Sequence, residues 1–372
     1  NRQDILILPD PGNATGYYII HMQDDVVIDS MAGTVDFLYN RLNYSYIDME
    51  LDNGLGDVTQ KNRSFFEAEM KSSHLTAIHH ANGRDWWILK PALGGEKYYR
   101  FLLDENGISK IDSQSIGPRF ETEITIINPN GVGESRFSPD GSKYAYFTLL
   151  DGLHLYDFDR NIGELSNLKV LDWSPTNQFN IIGGLEFSPN SRFLYLSNRD
   201  ALFQVDLDLN DLSTGLLKIA DHNPDNRGAL FDLMSLAPNC KIYVRAIGAQ
   251  YDYSTIHNPN EKGFACDFRQ GDVHQPYTAN FGNFPNFPRF RIDEDKPCCT
   301  SERASVESAP NVDEVYCTEW YNTIRNFGEH NCNPDSFSVL DLYKKGDIEL
   351  LHYRRFFRDV GRGGFYDLNG HN

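Results

Sequence analysis

An all-β chain built from repeats of about 50 residues is predicted by three observations. The first is self-similarity: FSPDGSKYAYFT (137–148) recurs as FSPNSRFLYLSN (187–198), 50 residues on, and as LAPNCKIYVRAI (236–247), 49 residues further. The second is turn chemistry. Each copy sets an apolar residue, a small residue, proline and Asp or Asn ahead of alternating aromatics, which makes a tight turn feeding a half-buried strand. The third is composition: aromatics reach 13% in a chain only 40% hydrophobic, and its 29 Gly and 17 Pro cluster between short apolar runs. That mix suits many short strands better than a helical bundle. A repeat of this length holding four strands is the size of a β-propeller blade. Two β-sandwiches with coincidental turns is the competing reading, and the near-equal periods count against it.

Taken in order, the chain begins with a loose copy, ILPDPGNATGYYIIH (7–21). A better one follows, IHHANGRDWWIL (78–89), with Asn82-Gly83 as its turn. Five units therefore carry the motif. A further strand follows it in GLHLYDFD (152–159) and ALFQVDLD (201–208). In the fifth unit IHNPNEKG (256–263) reads as an inter-strand loop set by Pro259 and Gly263, and FPNFPRFRI (284–292) as the exit. The repeat domain is expected over 1–295, a polar linker over 296–316, and a small α+β appendage over 317–372. In the appendage CTEWYNTIRNFGEHNC (317–332) reads as a short helix capped by Thr318 and ended by Gly328. A hairpin about Lys345-Gly346-Asp347 follows it.

The formal charge is −19 and the isoelectric point near 4.9, which disfavours nucleic acid and anionic membranes. No apolar window is long enough to span a bilayer. Asn1-Arg2-Gln3-Asp4 lacks the features of a signal peptide, so the chain is expected to start as a mature product or a fragment. Six cysteines (Cys240, Cys266, Cys298, Cys299, Cys317 and Cys332) without C-x-x-C spacing favour disulfides and an oxidising compartment. Cys240 holds the turn position that Gly141 holds in an earlier repeat, and Cys266 is expected on the neighbouring strand. A Cys240–Cys266 bridge is therefore predicted, closing a loop worth about 3 kcal/mol. Cys317 and Cys332 bracket the appendage helix as a second staple; Cys298 and Cys299 are left unassigned.

Catalytic signatures are absent: there is no G-x-S-x-G, H-E-x-x-H, Walker loop or dinucleotide fingerprint, and GRGG (361–364) lacks a strand-loop-helix context. His74, His79 and His80 precede Trp86 and Trp87, the candidate ligand-contact aromatics. Neighbours such as His79 and His80 point to opposite faces of a strand, so core and rim packing is the favoured role over metal chelation. Asp206, Asp208, Asn210 and Asp211, and likewise Asp52, Asn53 and Asp57, alternate as in a calcium loop but lack its 12-residue spacing and terminal Glu. Asx turns account for both runs, and calcium is the one cofactor they leave open. Arg354, Arg355, Arg358 and Arg362 form one basic run beside Phe356 and Phe357. Contact with the acidic body or a neighbouring subunit fits better than nucleic acid. Asn13, Asn43 and Asn62 head N-glycosylation sequons.

A family resemblance is carried by IDMELDNGLGDVTQKN (47–62), LTAIHHANGRDWWIL (75–89), FSPDGSKYAYF (137–147), GLEFSPNSRFLYLS (184–197) and IHNPNEKGFACDF (256–268). Together these resemble the β-propeller of large secreted surface proteins of Bacteroidetes, whose members end in a type IX secretion sorting domain or a gliding-motility-associated C-terminal domain. The resemblance covers roughly residues 1–295. It implies a ring of about seven blades, a place at the outer cell surface, and a role in binding, adhesion or filament assembly, with glycan or protein partners and no membrane insertion. Members begin with further strands carrying a W-x-F-G type motif. None precedes Ile5, so those blades are expected to have been removed or to come from another chain. Asp29-Ser30-Met31 is similar to the O-glycosylation pattern of these bacteria and marks Ser30. The alternative is an enzyme (a glycan lyase, hydrolase or peptidase) using carboxylates and histidines in the central funnel. A catalytic carboxylate pair or a His–carboxylate pair there separates the two.

Overall fold

The computed structural model describes residues 3–29, 34–119, 133–149, 151–172, 183–224, 230–246, 250–279, 284 and 286–288. All belong to Asn1–Cys298, the first of two units into which the chain divides. They form five four-stranded antiparallel sheets, each a meander in chain order. The first is β1 (Ile5–Asp10), β2 (Asn13–Asp29), β3 (Thr34–Asp48) and β4 (Asp57–Glu67). The second is β5 (Thr76–His79), β6 (Trp86–Pro91), β7 (Lys97–Asp104) and β8 (Gly107–Ser115). The third holds β9 (Gly133–Phe137), β10 (Lys143–Thr148), β11 (Gly152–Asp159) and β12 (Glu164–Leu171). The fourth holds β13 (Leu185–Phe187), β14 (Phe193–Ser197), β15 (Ala201–Asp206) and β16 (Leu216–Asp221), with a single helical turn, α1 (Leu212–Gly215), between the last two. The fifth is β17 (Phe231–Leu236), β18 (Ile242–Ala246), β19 (Gln250–Ile256) and β20 (Phe268–Ala279).

The repeated motif is the hairpin between the first two strands of a sheet, and its chemistry is the same in four of the five. An Asx side chain accepts from the backbone N–H two residues on: Asn82 from Arg84, Asp140 from Ser142, Asn190 from Arg192 and Asn239 from Lys241. The residue between them is left-handed each time, at φ 72° for Gly83, 73° for Gly141, 62° for Ser191 and 63° for Cys240. Glycine takes that conformation without a Cβ clash. Ser191 and Cys240 adopt it at a cost that the Asx bond and the strand pairing offset.

Each sheet packs face to face on the next. Leu6, Ile20 and Leu42 meet Trp86, Ile88 and Phe101 between the first and second sheets. Trp87 and Tyr98 meet Tyr144 and Tyr156 between the second and third. Phe147 and Leu155 meet Leu194 and Val205 next, and then Tyr195 and Leu202 meet Phe231 and Ile242. This succession of four-stranded sheets is the blade arrangement of a β-propeller. Alternation along β6 sends Trp86 to one interface and Trp87 to the other, because successive strand residues face opposite ways. On the first sheet, the face turned away from the second leaves Ile5 57% and Ile7 48% exposed, so it is not packed as the four sheet interfaces are.

The expected Cys240–Cys266 bridge is not formed, since Cys266 is a free, buried thiol. It ends a 3₁₀ turn, Gly263–Cys266, instead of lying on a strand, and it packs into the core with Phe231, Ile242 and Ile256. Cys240 sits at the β17–β18 turn and is disulfide-bonded. Ser30, Cys298, Cys299, Cys317, Cys332, the linker and the appendage with Arg354, Arg355, Arg358 and Arg362 lie outside the described residues. No helix among the described residues is long and apolar enough to cross a membrane.

Candidate functional site: the polar axis between the inner strands

The first strand of each sheet is the innermost, and side chains on β9 show how the inner strands converge. Glu134 Oε2 accepts from the backbone N–H of Leu185 on β13 (2.9 Å) and of Met234 on β17 (3.2 Å), while its Oε1 accepts from Arg136 Nη2 (2.8 Å). Arg136 also donates to the Met234 carbonyl (3.1 Å). Glu186 on β13 accepts from Leu236 N (2.9 Å) and from Phe187 N (2.9 Å). Gln3, just before β1, crosses to β9: its Nε2 donates to the Ser135 carbonyl (3.0 Å) and its Oε1 accepts from Ser135 N (2.7 Å). Bonds between the first and third sheets, and between the third and fifth, require the inner strands to share an axis. Inner strands end in a row of unpaired N–H groups, a liability of any sheet edge. Here the carboxylates accept those bonds.

At the end of the axis where the inner strands begin, a second network surrounds Asp151. Lys71 Nζ and the Tyr146 hydroxyl both donate to Asp151 Oδ2, at 2.9 and 2.5 Å, and Thr148 Oγ1 accepts from Asp151 N at 2.8 Å. His74 packs against Tyr146 with the rings tilted (centroids 4.5 Å), and its Nδ1 lies 2.8 Å from Ser135 Oγ. Lys90, wholly buried, donates to the Ser73 carbonyl, and Ser73 N donates to Asp4 Oδ1 (2.9 Å). Burial pushes the Glu134 carboxyl up to about 7 against the opposing pull of Arg136 and two backbone N–H groups. It pushes the Lys90 ammonium down to about 7, with Asp4 opposing, and His154 down to about 4.

The residues singled out by sequence are placed elsewhere. Trp86 and Trp87, 1% and 2% exposed, are core side chains and not ligand contacts, because the second sheet is covered on both faces. His79 stacks on Trp86 at 3.6 Å, and His80 Nε2 sits 2.9 Å from the Asn161 carbonyl; only His74 reaches the axis. Asp206 pairs with Arg192 and Lys262, each at 3.0 Å, and hydrogen bonding to Arg192 holds its carboxyl down at about 2. Asp208 pairs with Arg192 (2.9 Å), Asp211 caps α1 through Ser213 N (2.9 Å), and Asp57 accepts from Val58 N (2.7 Å). In the first run Asp206 and Asp208 are thus engaged in ion pairs and Asp211 in a helix cap. Among the described residues no group of three His, Cys, Asp or Glu is disposed to hold a metal ion. Asn43, head of one sequon, is buried and bonded to Gln23.

Sequence reasoning missed Glu134, Arg136, Glu186, Lys71 and Asp151. The available signal was charge inside the apolar strands of GESRFSPD and GLEFSPN. A His–carboxylate pair does exist, His257 with Asp272 at 2.6 Å, but it lies between the outer strands of the fifth sheet. An open cleft of about 580 Å³ between the second and third sheets is lined by Asp140, Asp157 and Asp159. Each of the three already accepts bonds from local Ser, Lys or Asn groups.

No family model matches the chain, and no curated protein does. Among solved structures it is similar to a protein from Lactobacillus plantarum, at 15% identity over 75% of this chain and 86% of that one, TM-score 0.44. It is similar to a putative 6-phosphogluconolactonase from Bacteroides fragilis, at 13% identity over 73% and 85%, TM-score 0.41. The β-propeller domain of Cps50 (Swd1) from Myceliophteria thermophila gives 14% identity over 69% and 71%, TM-score 0.36. The fold assignment rests on the five sheets themselves.

Proposed function

We propose that the chain is a non-enzymatic module for binding, adhesion or structural assembly, carried at the outer cell surface as part of a larger secreted protein or filament. One observation carries the non-enzymatic half: the inner-strand carboxylates Glu134 and Glu186 accept from main-chain N–H groups of neighbouring strands. A general acid or base must reach a substrate proton, and these two are already engaged and buried. The surface location, the glycan or protein partner and the relation to Bacteroidetes surface proteins follow the sequence resemblance, and the charge of −19 argues against nucleic acid. No cofactor is part of the proposal. The test is incubation of the purified chain with glycan and peptide libraries: retention with the ligand recovered intact supports it, and cleavage products overturn it.

The enzymatic reading is favoured by one feature, the Lys71–Asp151–Tyr146 cluster, where the Asp151 side chain keeps 11% exposure. Under that reading Asp151→Asn abolishes turnover that wild type shows on a glycan or peptide.

A further inference from the structure

The connection between β3 and β4 is an exposed, tightly coiled turn. Asp52 and Asn53 are both left-handed, at φ 47° and 57°, and Gly54 follows at 86°. Two successive residues with a Cβ hold that conformation at a cost. No residue of Leu51–Gly54 is buried, and Leu55 is 77% exposed. Backbone bonds close the turn, from Leu55 N to the Asp52 carbonyl (3.2 Å) and from Gly56 N to the Leu51 carbonyl (3.0 Å). The Asn53 carboxamide makes no hydrogen bond among the described residues. Open space lies where a Cβ on Gly54 would point.

The same dipeptide occurs twice more among the described residues, and both copies are held. Asn82 Oδ1 accepts from Arg84 N and Asp85 N (both 3.0 Å), and its Nδ2 donates to Asp85 Oδ2 (2.7 Å). Gly83 N donates to the His80 carbonyl (2.9 Å). Gly107, after Asn106, is buried and opens β8 opposite Asp104.

We propose that Asn53 is a spontaneous modification site, converting to isoaspartate and aspartate in the folded chain while Asn82 and Asn106 are protected by their turns. The Gly54 backbone nitrogen attacks Asn53 Cγ. The N–Cγ bond forms, the Cγ–Nδ2 bond breaks, and Nδ2 leaves as ammonia with the proton that the backbone nitrogen gives up. Glycine favours the step because no Cβ crowds the attacking nitrogen. Water then opens the cyclic imide. Attack at Cγ gives aspartate, and attack at the main-chain carbonyl gives isoaspartate, which lengthens the backbone by one methylene. Either product adds a carboxylate to a turn that already carries Glu50, Asp52 and Asp57.

The test incubates the full chain at mildly alkaline pH, folded and, in parallel, unfolded in guanidinium chloride. Peptide mapping by mass spectrometry, with isoaspartate separated from aspartate, follows each site by itself. In the folded chain Asn53 is expected to convert about tenfold or more faster than Asn82 and Asn106, which react only through local opening. Isoaspartate is expected among its products, and the three rates are expected to converge in denaturant. Equal rates in the folded chain, an Asn53 that stays an amide, or aspartate formed without isoaspartate overturns the proposal. A rate order that persists unchanged in denaturant also overturns it, because the selectivity then belongs to the local sequence and not to the fold.

Discussion

Glu134 holds N–H groups of two other inner strands and an arginine on its own, and its titration follows from that placement. Between its ordinary value of 4.5 and about 7, the folded chain keeps a proton that the unfolded chain has lost. Its contribution to stability therefore falls as pH rises through that window, by up to about 1.4 kcal/mol per unit. His154 runs the other way, since its folded value of about 4 lies below its ordinary 6.5, and stability rises across that interval. The two slopes oppose each other between 4.5 and 6.5. Glu134→Gln removes one of them, so urea unfolding of that variant is expected to show stability rising with pH where wild type changes little. A pH response identical to wild type counts against the assignment. Glu134→Ala is expected to cost about 3 kcal/mol or more, because it breaks a buried ion pair with Arg136 and removes the acceptor of the Leu185 and Met234 N–H groups.

At the scale of the element, the hairpin turns are local and were legible. Pro, Asx and a left-handed residue are adjacent in sequence, and their bonds close within five residues. Gly141→Ala is expected to cost about 1 kcal/mol in chemical unfolding, since alanine resists a φ of 73°. The strand faces test the packing. Leu6→Ala and Leu8→Ala, in the interface with the second sheet, are expected to cost 2–5 kcal/mol each. Ile5→Lys with Ile7→Lys is expected to stay within about 0.5 kcal/mol of wild type, because both residues are already close to half in water. A large loss in the lysine pair shows that this face is covered. The cysteine pairing was not legible for a nonlocal reason. The repeat gave the turn position of Cys240, but the 3₁₀ turn that carries Cys266 into the core belongs to an irregular loop outside the repeat.

Over the whole described molecule, the five motif-bearing units became five sheets because each motif encodes its own hairpin and an apolar strand face on either side. What the strands do to one another was less legible. For the cluster that holds Trp86 and Trp87, core packing is the favoured reading of the sequence and ligand contact the lesser one, and only the neighbouring sheets decide it, by burying both tryptophans. The charged residues of GESRF were visible as anomalies in a buried strand. Their partners, main-chain groups 50 to 100 residues away, are fixed only by the convergence of the inner strands. The same convergence, with the inner-strand carboxylates already engaged, underlies the proposal that the chain binds without turning over. Mass spectrometry of ligands eluted from the immobilised full chain tests it most directly. Recovery of intact, chemically unaltered glycan or peptide from wild type and from Asp151→Asn alike is the predicted result; cleaved or eliminated products from wild type that vanish in Asp151→Asn would contradict it.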